Sequence, residues 1–214
     1  MPKPVEGIAG SGMHVNCSLL TMDDKNAFFD PNTNNQLSSV AEKWISGIIY
    51  HAKGFCLITN PIVNSYKRLV PGYEAPCYIS WSNANRSTMI RIPAARGMKT
   101  RTEVRSVDGS ANPYLAIAAI LAAGLDGIEG NVPMVAPVDE NLFDLDDEGR
   151  RALGVESLPL DLNEATKAFK KDKLIQDAMG AHTVKKLIEA KTIEWNAYHK
   201  FVTNWEIKRY INKY

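Results

Sequence analysis

The sequence predicts an α+β fold: a curved antiparallel sheet backed by helices, followed by a helical C-terminal tail. Three observations lead there. From Met13 the odd positions Met13, Val15, Cys17 and Leu19 are apolar while His14, Asn16 and Ser18 alternate with them, the period of a half-buried strand. Residues 77–82, 88–92 and 101–106 are short segments between turn formers and read as further strands. Residues 36–53, the stretch after Asn112, and residues 162 onward carry apolar side chains at helical spacing. Sheet and helices segregated in this way define the class.

Taken in order, GIAGSG is a Gly-rich turn that feeds the first strand, and residues 21–35 form a loop rich in Asp and Asn. In the helix over 36–53, Val40, Trp44, Ile48 and His51 share a side, Ser38 or Ser39 supplies the cap, and Gly54 the stop. His51 is expected to pair with the last carbonyls of that helix, a structural role. Residues 60–76 hold too many turn formers for a long element. Asn112-Pro113 opens a helix that is apolar on almost every side and so expected to be buried, with Gly124, Gly127 and Gly130 ending it. Residues 131–162 read as an acidic, Pro-containing surface connection with little periodicity. A long helical run from Thr183 to Tyr214 closes the chain, its apolar face formed by Leu187, Ile193, Trp195, Tyr198, Phe201, Val202, Trp205 and Tyr210. The expected division is 1–130 as the core, 131–160 as the connection and 161–214 as the helical region.

An apolar content of 45% and a charged content of 23% over 214 residues are those of an ordinary globular protein. No apolar run is long enough to span a bilayer, and MPKPVEGIAG lacks the apolar core of a signal peptide. Three cysteines without CxxC spacing indicate neither a disulfide framework nor a zinc site, so a reducing cytoplasm is the expected compartment. The net charge of +1 argues against general nucleic-acid binding, but it hides segregation: residues 51–125 carry +6, residues 126–166 carry −9 and residues 167–214 carry +6. Between Lys67 and Arg105 stand eight Lys or Arg residues and only two acids, Glu74 and Glu103. Period two places Arg101, Glu103 and Arg105 on one strand face. Arginines converging on a lone carboxylate suit a ligand with several negative charges together with a metal ion, because each guanidinium pairs two oxygens at once.

The wording NPIVNSYKRLVPGYEAP, the NRS-x4-RIP run and the triplet EVR, with GSGMHVNCSL upstream and RSVDGSANPYLAIAAILAAGLDGI downstream, resembles the catalytic domain of type I glutamine synthetase. The likeness extends over nearly the whole chain, is densest over residues 10–128, and matches the C-terminal part of that domain, so the first part of the domain and the small N-terminal domain are expected to be absent. The resemblance implies ATP-dependent amidation of glutamate by ammonia through a γ-glutamyl phosphate, two divalent ions (Mg or Mn), and a homo-oligomer, a dodecamer in this type. It further implies that His14 and Glu103 hold one metal, that Gly10, Arg68 and Arg105 serve glutamate, and that Arg86 and Arg91 steady the transferring phosphoryl group. Asn16, Ser18 and Arg101 then fall in the ATP pocket, and Glu74 is the lid carboxylate that takes a proton from ammonium.

Read without the resemblance, each of these is an ordinary residue: a solvated strand face, a surface arginine, a loop glutamate. Two departures bear on substrate and turn: Ala9 stands where the family usually has Asn, and Gly109 where Pro is common. The stretch Asn141-Leu142-Phe143-Asp144-Leu145 matches a loop whose tyrosine is adenylylated in some members; Phe143 has no hydroxyl, which implies the unadenylylated subclass. With part of the metal-ligand set missing, the chain alone is expected to lack turnover. The rival readings are a related γ-glutamyl ligase that uses an amine, and an inactive fragment that binds intact subunits or a regulator.

Overall fold

In the computed structural model, which describes residues 1–83, 85, 87–211 and 213, five short strands form one sheet. They are β1 (Val15–Cys17), β2 (Tyr78–Ser82), β3 (Thr88–Arg91), β4 (Thr102–Val104) and β5 (Glu156–Ser157), in the order β1-β4-β3-β2-β5. The β1·β4, β3·β4 and β2·β5 pairs are antiparallel, but β2 and β3 run parallel, so the sheet is mixed rather than wholly antiparallel. The link between those two strands is far shorter than the usual parallel crossover. The chain turns back with the help of Asn85, whose Oδ1 accepts from Ser87 N at 2.9 Å and Ser87 Oγ at 2.7 Å.

Register sorts the side chains. Val15 lies opposite Val104, and Val104 opposite Ile90, an apolar row on the core face. Next to it Asn16 lies opposite Glu103, and Glu103 opposite Arg91, a polar row on the other face. The predicted alternation is present: Met13, Val15, Cys17 and Leu19 pack against the core, while His14, Asn16 and Ser18 are exposed.

Behind the sheet lie α1 (Ser39–Tyr50), α2 (Ala52–Thr59) and α4 (Pro113–Glu129), with the short α3 (Val63–Arg68) beside them. Ser38 caps α1, its hydroxyl accepting from Ala41 N at 3.2 Å. Gly54 does not end a helix as expected; it sits inside α2, where a Cβ would collide with the Asp172 carboxylate. Asn112 caps α4 through Tyr114 N at 3.0 Å, and Gly130, with φ of 85°, ends it. Gly124 and Gly127 are internal to α4 and serve a different purpose. A Cβ on Gly127 would meet the Lys43 carbonyl and Gly47 of α1, and one on Gly124 would enter the Trp44 indole, so the two helices cross with their backbones in contact. Nor is α4 buried all round: Tyr114, Ile117, Leu121 and Leu125 form an exposed stripe.

The acidic stretch holds more structure than expected. It contributes α5 (Asp147–Ala152) and the edge strand β5, and it buries Leu142, Val138 and Val155 against Cys77 and Tyr78 as a small second core. The chain continues through α6 (Leu162–Phe169), α7 (Lys173–Met179), α8 (Ala181–His199) and α9 (Asn204–Tyr210). The run expected as one element to the C-terminus is thus two helices. Thr203 begins the second, as its hydroxyl and the Glu206 carboxylate cap each other's backbone. Phe201, Val202, Trp205 and Tyr210 are exposed, and no described helix is long and apolar enough to cross a membrane.

His51 is structural, but its partners are not carbonyls. Nδ1 lies 2.7 Å from Asp172 Oδ2 and Nε2 3.0 Å from Asp126 Oδ2, so the imidazole ties the α1–α2 junction to α4 and α7.

Candidate active site

The polar row of the sheet gathers the charged residues. Strand periodicity puts His14 on the same face as Asn16, and Arg101 and Arg105 on the same face as Glu103. His14 Nδ1 reaches Glu103 Oε1 at 2.6 Å. Arg91 donates to the other oxygen, Oε2, through both Nε at 3.0 Å and Nη2 at 2.6 Å. Arg101 Nε donates to Asn16 Oδ1 at 3.0 Å. Ser18 is exposed beyond the end of β1. Arg86 lies outside the described residues.

Arg68 approaches from α3 and is 3% exposed. Its Nη1 donates to the Ser106 carbonyl at 2.8 Å and its Nη2 to the Arg105 carbonyl at 3.0 Å. The Gly-rich turn makes room for it, because a Cβ on Gly12 would strike the guanidinium and one on Gly10 would press on the side-chain stem. Arg105 is also buried; Nη1 donates to the Thr88 carbonyl and Nη2 to the Glu74 carbonyl, both at 3.3 Å. Glu74 itself is exposed on the loop over residues 71–76, where the Lys3 ammonium sits 3.7 Å above the neighbouring Tyr73 ring.

Two cavities open here. One, of about 250 Å³, is lined by Ala9, Gly10, Gly12, His14, Arg68, Glu74 and Arg105. The other, of about 390 Å³, adjoins it through His14, Glu74 and Arg105 and adds Arg91, Tyr73 and Phe143. A larger cavity of about 600 Å³, lined by His51, Gly54, Lys53, Lys167 and Lys171, contains none of the residues to which the resemblance assigns a role in substrate, nucleotide or metal binding.

Charge states follow from surroundings. Partial burial lowers the His14 pKa, and the Arg105 and Arg68 charges add to that against the opposing pull of Glu103. Burial works to raise Glu103, but the hydrogen bonds and charge of Arg91, with His14, hold it below the usual carboxylate range. At 2.6 Å the Nδ1–Oε1 contact is a hydrogen bond from the imidazole to the carboxylate. Burial lowers the Arg68 pKa as well, offset in part by Asp108.

An imidazole nitrogen beside a carboxylate is a donor set that suits Mn²⁺, and Mg²⁺ less well. It is a partial set: among the described residues no group of three or more His, Cys, Asp or Glu side chains is arranged to hold a metal ion. The pair thus fits a cation whose remaining positions are filled by water, ligand oxygens or another polypeptide.

Sequence reasoning missed two contributors. Asn60 donates to the Ser106 carbonyl at 2.8 Å and to Asp108 Oδ2 at 3.2 Å, fixing the carbonyl that receives Arg68. Phe143, assigned from sequence to the acidic surface connection, packs on Tyr78 with ring centroids 5.9 Å apart and walls the second cavity. Both are distant in sequence from what they touch, and no local pattern marks them.

The α+β scaffold thus presents a His–carboxylate pair beside buried arginines and a loop carboxylate along one cleft. The chain belongs to the glutamine synthetase family: the family model for "Glutamine synthetase, catalytic domain" matches residues 1–210. It is similar to the glutamine synthetase of Staphylococcus epidermidis, 51% identical over 214 residues, which is all of this chain and 48% of that protein. The glutamine synthetase of Staphylococcus aureus strain MW2 is 50% identical over the same span. Among solved structures, "GmaS/ADP complex-Conformation 1" superposes with a TM-score of 0.85 at 36% identity, covering 99% of this chain and 48% of that one. "Apo GmaS without ligand" gives a TM-score of 0.82 at 36% identity over 99% of this chain and 47% of that one. The chain spans about half the length of the curated relatives it matches.

Proposed function

We propose that this chain carries part of the site for ATP-dependent ligation of ammonia to glutamate, giving glutamine through a γ-glutamyl phosphate. The observation that carries the reading is the meeting of His14, Arg68, Arg105 and Glu74 around two adjoining cavities, with Glu103 held against His14, in a chain of this family. The bound Mg²⁺ or Mn²⁺ would neutralise phosphate charge and orient the transferring oxygens. His14 and Glu103 are the residues to hold it.

The remaining roles follow from charge and place. Arg68 and Arg105, buried and carbonyl-anchored, present fixed positive charge to the glutamate carboxylates, with the Gly10 backbone alongside. Arg91, and Arg86 by resemblance, face the phosphoryl group. Asn16, Ser18 and Arg101 lie farther along the polar face, on the side the resemblance assigns to ATP; a relative solved as an ADP complex supports nucleotide binding by a protein of this fold. Glu74, on a loop, attracts ammonium, takes its proton and covers the acyl phosphate against water. The intact enzyme is read as a cytoplasmic homo-oligomer, and the chain as a core over 1–130, a connection over 131–160 and a helical region over 161–214.

Manganese binding to the purified chain, followed by the loss of free-ion EPR signal, tests the metal assignment. Binding is expected to be weak and to fall about tenfold or more in Glu103→Gln. Unchanged binding in that variant would remove Glu103 from the site. In the same preparation, freed of host enzyme, no glutamine is expected from ATP, glutamate and ammonium, because only two donors are in place. Robust turnover would show that two suffice.

One observation favours a second reading. Ala9 lines the smaller cavity where the resemblance places an Asn that helps bind glutamate, so a related γ-glutamyl ligase that uses an amine is the alternative. A screen of primary amines against ammonium, in a protein of full family length carrying this sequence, separates the two.

A further inference from the structure

We propose that Arg91 is a displaceable arm that competes with the divalent cation for Glu103, so that cation binding and release of the guanidinium toward the anion cavity are one coupled event. The inference rests on the reading of His14 and Glu103 as a cation site. Its basis is the way both carboxylate oxygens are occupied. Oε1 takes the imidazole at 2.6 Å, and Oε2 takes two N–H groups of the same guanidinium at 3.0 and 2.6 Å. Glu103 is 4% exposed, so solvent offers it little compensation, and among the described residues Arg91 is the guanidinium paired with it.

A divalent ion at this carboxylate would stand within a few ångström of that guanidinium, in surroundings that screen poorly. Like charges so placed repel strongly. The β4 end of the pair cannot yield, because Glu103 is locked opposite both Asn16 and Arg91 in the sheet. The arginine can: its side chain is 37% exposed and lines the 390 Å³ cavity with Glu74 and Phe143. Movement into that cavity carries a positive charge to where an anionic ligand would lie. By linkage the converse holds, and an anion that captures Arg91 there frees Oε2 and tightens cation binding. Arg91 thereby acts as a positioning residue for the cation as well as a contact for the anion, and keeps Glu103 compensated until both ligands are present.

Two measurements on the 214-residue chain test this. In Mn²⁺ titrations followed by EPR, Arg91→Gln is expected to bind the ion about tenfold more tightly than the unaltered chain. Arg101→Gln removes the same charge from the same strand face without touching Glu103, and its affinity should change by less than about threefold. Equal tightening in the two variants would reduce the effect to a general field and overturn the arm. No tightening in Arg91→Gln, while Glu103→Gln abolishes binding, overturns the arm alone. Mn²⁺ binding that survives Glu103→Gln removes the cation reading and the proposal with it. The second measurement needs no variant. The Arg91 Nε–H resonance should shift on titration with diamagnetic Mg²⁺, while that of Arg96, held by the Asn35 carbonyl, stays in place. An Arg91 resonance that does not move at saturating Mg²⁺ sinks the proposal.

Discussion

Gly47→Val is expected to destabilise the chain by about 4 kcal/mol, against a typical total of about 5–15 kcal/mol, and to lower Tm by about 10 °C. The cause is local and rigid. A Cβ at Gly47 would land on the Ala123 carbonyl, 2.8 Å from Gly127 N and 2.9 Å from Gly127 Cα, so it meets backbone rather than a side chain able to rotate away. Relief requires the two helices to separate, and with them the packing of Trp44 over Gly124. Ala41, Trp44, Ile48, Ala119, Ile120 and Ala123 all sit fully or almost fully buried at or near this crossing. Gly109→Ala is the matched control: its Cβ would meet nothing within 4 Å and its φ is not in the left-handed region, so a change within about 0.5 kcal/mol is expected. Thermal melts of both variants decide the matter. A Gly47→Val protein that melts with the unaltered chain would mean the crossing is not closed in solution.

His51→Ala is expected to cost about 3 kcal/mol, because it leaves the Asp126 and Asp172 carboxylates together in a half-dry pocket with their shared partner gone. The loss should depend on pH, with a sign fixed by the two kinds of group. Burial pulls the His51 pKa down, but hydrogen bonds and charge from Asp172 and Asp126 outweigh it and raise the pKa above the ordinary 6.5. A raised histidine contributes stability that is fully present below its unfolded pKa and is lost as pH rises through the folded value. For Asp126, burial works upward, yet His51 and Asn131 hold its pKa below 3.8; its contribution is present above that value and is lost as pH falls through the depressed one. The difference in Tm between the unaltered chain and His51→Ala should therefore be greatest in the mildly acidic range between these limits and shrink toward alkaline pH. A difference that stays constant from pH 5 to pH 9 would show that His51 acts by packing alone.

Which of the candidate residues share a strand face was legible, because that follows short-range rules; their roles came from the resemblance. The alternation of His14, Asn16 and Ser18 with apolar neighbours, and the spacing of Arg101, Glu103 and Arg105, each reduce to the two-residue period of a strand. The Asn112 cap with Pro113 beside it needed only four residues of context. What was misread depends on partners far along the chain. Gly54, Gly124 and Gly127 look like helix ends in sequence, since glycine permits the left-handed turn that stops a helix. Here the same residue type instead admits the Asp172 carboxylate, the Trp44 ring and the α1 backbone. The bridging aspartates of His51 lie 75 and 121 residues away, beyond any periodicity. Leu142 and Phe143 sit among acidic residues that advertise a surface, yet one is buried and the other walls a cavity. The parallel β2·β3 pair escaped because its connection has the length of a hairpin loop.

The paired rows of the central sheet carry a consequence for quality control. Val15, Val104 and Ile90 stand one residue away from Asn16, Glu103 and Arg91, and the same ladder hydrogen bonds align both sets. A slip of β4 by one residue would drive Glu103 into the apolar layer and turn Val104 out to water. Misaligned molecules are thus eliminated by their own instability, and the population that survives proteolysis is the population with Glu103 beside His14 and Arg91. Abundance of the folded chain in a cell extract is on this account a count of chains whose central sheet is in register.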